Sequence, residues 1–411
     1  MVLLLSALWA FCGIRRDAGV NLRSRMALID SLVHRHTHII DDSRYGYTMD
    51  KVRLPDGHFV SEKTPLLSLL GAKLYRQYLR TTHHSLSRNE SEVIWFLGLF
   101  LGWLPLALTF FFFALTLERF PIPDVAFFLA SLAFSLGYLG IGYATTITGH
   151  VAAGTTLMMA FYFAVVLRRS SLAAFPAFLC ALAVGAFATL APAFDLPTAL
   201  IGLAVILYAA RTNARLWAAV LAGAIPIVFL QMFMNLQATG YWYPVYLRKE
   251  WLLYPGSYWN HPKEFDALHH SKVEFLAQMI CGFRGFFSTT PVLIFSLAEM
   301  LAASRPMPWH AEKRCFLAAL FLMLTFFTFF ATNLYGGYCL GLRYFIALQP
   351  FFFLALGFYF ARARSPLLYA LFGLSLAASF AHVLLAWQDP WQSSYLERLM
   401  VHWNWLYVEL K

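Results

Sequence analysis

Long, almost uncharged apolar runs constrain this chain more than any other feature. A helix needs about 20 residues to cross the roughly 30 Å hydrocarbon layer of a bilayer. Such runs recur at 93–117, 124–142, 149–167, 172–191, 196–210, 216–234, 286–303, 315–332, 343–361 and 366–387. A shorter segment, Val2 to Ile14, lacks a basic leader and a small-x-small cleavage site, and reads as a thin span rather than a signal peptide. The expectation is an all-α polytopic membrane protein of about 11 transmembrane helices, a single integral domain over 1–411. Composition agrees: 60% of the residues are hydrophobic and only 13% charged, with a mean hydropathy of +0.61.

The formal net charge of +10 would suggest nucleic acid in a soluble chain. Here the Lys and Arg residues fall in short connections between apolar runs, where they record orientation, so membrane lipids and not nucleic acid are the expected surroundings. The five cysteines, Cys12, Cys180, Cys281, Cys315 and Cys339, have no CxxC spacing and read as small buried hydrophobes.

With the N-terminus inside, the inner connections carry Arg119, Arg168, Arg169, Arg211, Arg215, Arg305, Lys313, Arg314, Arg362 and Arg364. The short outer turns near Thr145–Gly149 and Ala191–Pro197 carry no Lys or Arg. Three larger pieces then share the outer face: 15–92, 235–285 and the tail 388–411. The first begins with Leu22, Met26, Ile29, Leu32 and Val33 at helical spacing, with Arg23, Arg25, Asp30 and Arg35 on the other side. That pattern describes a helix in the interface, either an anchor alone or one that also lines a site. A second stripe, Leu66, Leu67, Leu69, Leu70 and Leu74, follows Pro65, which suits the first turn of a helix.

Three groups of polar residues could carry chemistry. The first-loop acids Asp30, Asp41, Asp42, Asp50, Asp56 and Glu62 could deprotonate an acceptor or hold a divalent cation, although solvated loop carboxylates usually do neither. His34, His36 and His38 alternate, with His58 following; such a mixed patch more often sits at the headgroup level than on a metal. Arg284, within Gly282-Phe283-Arg284-Gly285, and Arg343, before Tyr344 and after Gly336-Gly337 and Gly341, stand at the outer mouths of spans. There they suit bidentate phosphate recognition or simple anchoring. His150 and Asp195 lie at outer span ends, and His382 within the last span; a cap or interface role is the ordinary reading for each.

Four stretches give the chain a family likeness. They are Ser24-Arg25-Met26-Ala27-Leu28 with Ile40-Asp41; Thr48-Met49-Asp50-Lys51 with Asp56-Gly57-His58-Phe59-Val60-Ser61-Glu62-Lys63-Thr64-Pro65; Gly282 to Pro291; and Asn333 to Tyr344. In this order they resemble the GT-C superfamily of polyprenyl-phosphate-dependent glycosyltransferases, nearest to bacterial relatives of protein mannosyltransferases and aminoarabinose transferases. The resemblance implies an inverting membrane transferase, in a bacterial cytoplasmic (inner) membrane with its active face outward. It would take a polyprenyl-phosphate sugar donor from the bilayer and an acceptor from outside.

Carried onto this chain, the resemblance makes Asp50 or Asp41, with Asp42 beside it, the catalytic acid, acting as base or as ligand to a divalent metal ion. Lys63, Arg284 and Arg343 become the lipid-phosphate contacts, and Lys51, Glu62, His58, His150 and Tyr344 further candidates. The chain departs from the family in reading Asn21-Leu22-Arg23-Ser24 where an acidic pair is usual, and in having Glu62, Thr64 and Leu342 where Asp, Pro and Pro are usual. The alternative is a transporter or flippase of lipid-linked saccharides, or a non-catalytic partner of such machinery. No internal repeat of the kind common in transporters is visible.

Overall fold

The computed structural model describes residues 1–210, 216–302, 309–363, 365–403 and 405. Arg211, Arg215, Arg305, Arg364 and tail residues 404 and 406–411 lie outside them. The chain forms a helical bundle, as its apolar runs require. Helices α1 (Val2–Cys12) and α2 (Val20–His34) are followed by a hairpin, β1 (Lys51–Arg53) and β2 (Phe59–Ser61), and by α3 (Pro65–Thr82). The bundle continues through α4 (Glu90–Gly98), α5 (Leu104–Leu117), α6 (Asp124–Gly137), α7 (Gly140–Tyr143), α8 (Gly149–Arg169), α9 (Ala174–Phe194), α10 (Ala199–Ala210) and α11 (Trp217–Thr239). It closes with α12 (Lys272–Cys281), α13 (Leu293–Leu301), α14 (His310–Phe330), α15 (Gln349–Phe360), α16 (Pro366–Gln388) and α17 (Tyr395–His402).

Among the described residues, 6 helices are long and apolar enough to cross a membrane, α4 and α5 counting as one rod joined through a π turn at Leu99–Trp103. Four shorter apolar helices, α1, α6, α15 and the segment ending in α10, pack with them. On α11, Leu221, Ile225, Phe229, Phe233 and Leu236 face outward. A soluble protein could not expose such a surface, whereas lipid is its natural solvent. At the centre stands α15, whose residues Phe351 to Leu356 are all buried.

Two expected spans are only partly helical. Within 286–303 the helix is confined to Leu293–Leu301, and within 343–361 to Gln349–Phe360, preceded by a 3₁₀ turn at Arg343–Phe345. Gly336, Gly337 and Gly341 all have positive φ, a conformation that ends helices. The irregular stretch they create is tolerated because Leu340, Leu342, Phe345 and Leu348 are buried in protein. Gln349 supports it from inside, accepting from the Leu139 amide at 3.2 Å and donating to Thr290 at 3.0 Å.

The bundle has two chemically distinct ends. At one, Arg169 meets Glu312 at 3.1 Å, Tyr208 donates to the same carboxylate, Arg362 pairs with Glu299, and Arg119 lies beside Tyr162. At the other end the loops gather: Trp251 packs on Val52 and Val60, His270 on Asn333, and Arg15 on Asp389. Two cysteines depart from expectation: Cys315 and Cys339 are buried, but Cys12 and Cys281 face outward.

Candidate functional site

The first loop folds around α2, which is less exposed than its sequence pattern suggests. Ser24, Arg25, Asp30 and Ser31 are buried along with the apolar stripe, because the hairpin and α3 cover the helix's polar side. Ser24 bonds the Ser61 hydroxyl at 2.7 Å and donates to the Asp50 carbonyl. Register does the rest. Lys51 pairs with Ser61 and Arg53 with Phe59, and Gly57, at φ +93, allows the tight turn. The open end of the hairpin then sets Asp50 opposite Glu62, whose amide donates to the Asp50 carbonyl at 3.3 Å.

Lys63 emerges from this open end. Its Nζ lies 2.9 Å from Asp50 Oδ2 and 2.6 Å from Glu62 Oε1. Burial opposes the Lys63 charge, but the Asp50 and Glu62 carboxylates more than offset it and hold the ammonium above its ordinary range. Burial pushes the Glu62 carboxyl up against the pull of Lys63. Thr64 ties this segment to the bundle by donating to the Phe194 carbonyl at 3.0 Å, and Pro65 starts α3 immediately after.

Tyr246 and Arg343 face Lys63, and Arg25 and His150 stand behind them. Arg25 comes from α2, only 7% exposed, with its guanidinium 3.5 Å from the Thr64 carbonyl. Burial lowers its pKa, while Tyr246, Asp195 and Asp50 pull in the opposite direction. Arg343 comes from the 3₁₀ turn, donating to the Tyr344 hydroxyl at 3.3 Å and lying 5.5 Å from the centre of the Trp391 ring. Tyr246, 39% exposed, lines the same space. His150, at the start of α8, pairs with Asp195 at 2.7 Å and stands edge-on to Tyr344. Among the described residues neither Arg25 nor Arg343 has a carboxylate within 4.0 Å.

A small, partly open cleft adjoins Lys63. Glu62, Lys63 and Tyr246 form its polar wall, and Pro192, Gln231 and Met234 of α9 and α11 face them. Nearby on α11, Phe233 and Leu236 point outward.

The structure therefore brings Asp50, Glu62, Lys63, His150, Arg343 and Tyr344 together and leaves the other candidates elsewhere. Asp41, exposed on the rim, accepts from the Phe59 amide at 2.8 Å and pairs with His58 at 2.7 Å. That hydrogen bond raises the His58 pKa. Asp42 is exposed, and its carbonyl accepts from Arg35. Lys51 donates to the Gly46 carbonyl at 3.1 Å and covers Phe59. Arg284 is fully buried, bound to Glu397 and to the carbonyls of Tyr335 and Gly337, over the Phe265 ring. Among the described residues no three His, Cys, Asp or Glu side chains cluster to hold a metal.

Arg25 and Tyr246 were not singled out as site residues from sequence. The available signal for Arg25 was an arginine in the stretch that carries the family likeness. Tyr246 had none, because its place depends on how the second large loop folds back.

No protein-family model matches the chain, and no curated protein matches it by sequence. Solved structures do. ArnT from Cupriavidus metallidurans in the apo state aligns with a TM-score of 0.54 at 15% identity, over 90% of this chain and 61% of ArnT. ArnT bound to undecaprenyl phosphate gives 0.55 at 14% identity, over 91% of this chain and 62% of ArnT. The Archaeoglobus fulgidus oligosaccharyltransferase, in complex with Zn and sulfate, is more distant at 0.48 and 14% identity, over 96% of this chain and 54% of its own. The chain thus spans about three fifths of ArnT and shares its fold.

Proposed function

We propose that this protein is a membrane glycosyltransferase that moves a sugar from a polyprenyl-phosphate-linked donor to an acceptor. The reaction would take place on the outer face of a bacterial inner membrane. One observation carries the reading: Arg25 and Arg343 converge beside Lys63, next to a cleft, and among the described residues neither has a carboxylate within 4.0 Å. Arg25 is buried and Arg343 half-buried, and a guanidinium taken out of water without a directly paired carboxylate is relieved by an anionic ligand. A lipid phosphate is such a ligand, since its oxygens can take the forked donors of both arginines. The shared fold with ArnT, solved with undecaprenyl phosphate, supports this choice.

In this reading the acceptor attacks the anomeric carbon in line as the polyprenyl phosphate departs, with inversion. Charge grows on the phosphate oxygens, and Lys63, Arg25 and Arg343 stabilise it in a partly dry site. These three cations carry the charge that a divalent ion would otherwise supply there. Asp50 is the first-loop acid of the site, orienting Lys63 and facing the acceptor. Arg284 holds the Arg343 turn in place from behind.

The test is binding by purified protein in proteoliposomes, comparing undecaprenyl phosphate with undecaprenol. Preference for the phosphate, weakened on the order of tenfold by Arg343→Lys and more by Arg343→Ala, is expected, because lysine keeps the charge but not the fork of donors. Equal binding of both lipids, or wild-type binding by both variants, would sink the phosphate site.

A further inference from the structure

The glycosyl-transfer reading leaves one step without an owner, the removal of the acceptor's proton. Asp50 and Glu62 are the carboxylates nearest the cations, and both are committed to Lys63, at 2.9 and 2.6 Å. Protonating either one would strip a buried ammonium of a counter-charge just as the phosphate needs that ammonium.

A second polar pair stands beside Tyr344 and takes no part in holding Lys63. His150 Nδ1 is 2.7 Å from Asp195 Oδ2. A carboxylate only accepts hydrogen bonds, so in the neutral imidazole Nδ1 carries the proton and Nε2 presents a lone pair. Among the described residues Nε2 makes no hydrogen bond. Two tyrosine rings fix the plane of the imidazole: Tyr143 at 6.1 Å and 90°, and Tyr344 at 5.9 Å and 88°. Tyr344 also accepts the Arg343 hydrogen bond, so the imidazole stands one side chain away from the proposed phosphate contact. The backbone is fitted to the pair. Gly149 lies so close to the Phe194 carbonyl that a Cβ there would be 2.1 Å from the oxygen, and this approach brings the start of α8 against the α9–α10 turn that carries Asp195.

We propose that His150 is the general base of the transfer, with Asp195 as the residue that positions it; the proposal rests on the glycosyl-transfer reading above. The acceptor, a hydroxyl or amine, forms its bond to the anomeric carbon while the bond from that carbon to the phosphate oxygen breaks. The bonding pair leaves on the polyprenyl phosphate. The acceptor proton passes to His150 Nε2, and the imidazolium, facing Asp195, afterwards releases it to water. No oxidant or second substrate is needed.

A structural pair that merely ties α8 to the α9–α10 turn is the competing account, and kinetics separates the two. The assay follows undecaprenyl phosphate released from a panel of undecaprenyl-phosphate-linked hexoses, pentoses and aminopentoses, in proteoliposomes supplied with envelope lipids as acceptor. His150→Asn keeps an N–H for Asp195 but no basic nitrogen. It should lower kcat on the order of 10²–10⁴-fold while leaving donor KM and undecaprenyl phosphate binding unchanged. His150→Ala should regain rate in added imidazole. Asp195→Asn should lower kcat less, and add little further loss when combined with His150→Asn, because the two act through one nitrogen. Wild-type turnover by His150→Asn, or loss of lipid binding in step with rate, would overturn the proposal. If the wild type releases undecaprenyl phosphate from no donor, the glycosyl-transfer reading fails and takes this one with it.

Discussion

Lys63 illustrates how a single side chain can be read in two ways until its neighbours are known. Between Asp50 and Glu62 its ammonium is held above the usual lysine range, so its charge persists through neutral pH and disappears only as pH rises through that elevated value. Binding of undecaprenyl phosphate should therefore stay level on the alkaline side, from about pH 7.5, above the phosphate's second ionisation near 6, to about pH 10, the ordinary lysine value being ~10.4. Asp50, Glu62, Tyr246 and Arg343 are the titratable and charged groups facing it. A midpoint near pH 8 in a binding titration would contradict this. The acids differ in the same way. Asp50→Asn removes a charged partner of Lys63 and should lower kcat/KM by about 10- to 100-fold, the worth of one hydrogen bond to a charged group. Asp41→Asn, on the exposed rim, should leave the rate within about threefold of wild type. Equal effects in a transfer assay would mean that the hairpin does not divide the two acids into site and rim.

At the scale of elements, the Arg343 turn is held by a clamp that reaches across the chain. Arg284 and Glu397 are 1% and 0% exposed, joining the segment before α13 to α17, while the same guanidinium ties down Tyr335 and Gly337. Helix α17 is prepared for this by its capping box, in which Ser394 accepts from the Glu397 amide and Glu397 from the Ser394 amide. Truncating one member of a buried pair leaves an uncompensated charge, worth about 3–5 kcal/mol, whereas replacing both by apolar residues can be nearly neutral. Glu397→Met should thus lower the thermal unfolding midpoint in detergent sharply, and Arg284→Met with Glu397→Met should recover most of it. A double variant as unstable as the single one would show that the clamp's hydrogen bonds to the 335–337 backbone matter more than its charge balance.

At the scale of the whole molecule, the bundle sets Arg119, Arg169 and Arg362 at one end and the hairpin loops at the other, and the orientation read from Lys and Arg makes the first end the inner one. The Arg119 end and the hairpin end should lie on opposite sides of the membrane. Single cysteines on a cysteine-free background test this directly. Asp56→Cys and Asn260→Cys should react with an impermeant maleimide in intact cells, and Arg119→Cys only after permeabilisation. Labelling of position 119 from outside would overturn the orientation and the outward-facing site together.

The sequence by itself determined the lipid-embedded helical class, because apolar runs near 20 residues leave little other choice. It also pointed to Asp50, Lys63 and Arg343, whose residue types and flanking glycines and prolines are local signals. It overextended the spans at 286–303 and 343–361, since hydropathy counts apolar residues and cannot distinguish a helix from irregular backbone sheltered inside protein. Only the tertiary structure decided which charges are free. Arg284 and Arg343 look alike in sequence, each preceded by glycine-rich chain at the mouth of a span, but a glutamate 113 residues away pairs with the first, and among the described residues none pairs with the second. Likewise His150 and Asp195, 45 residues apart, become a pair only where α8 meets the α9–α10 turn. Electrostatic partnership depends on distance in space, and a membrane bundle brings its helix ends together in an order that the local pattern does not encode.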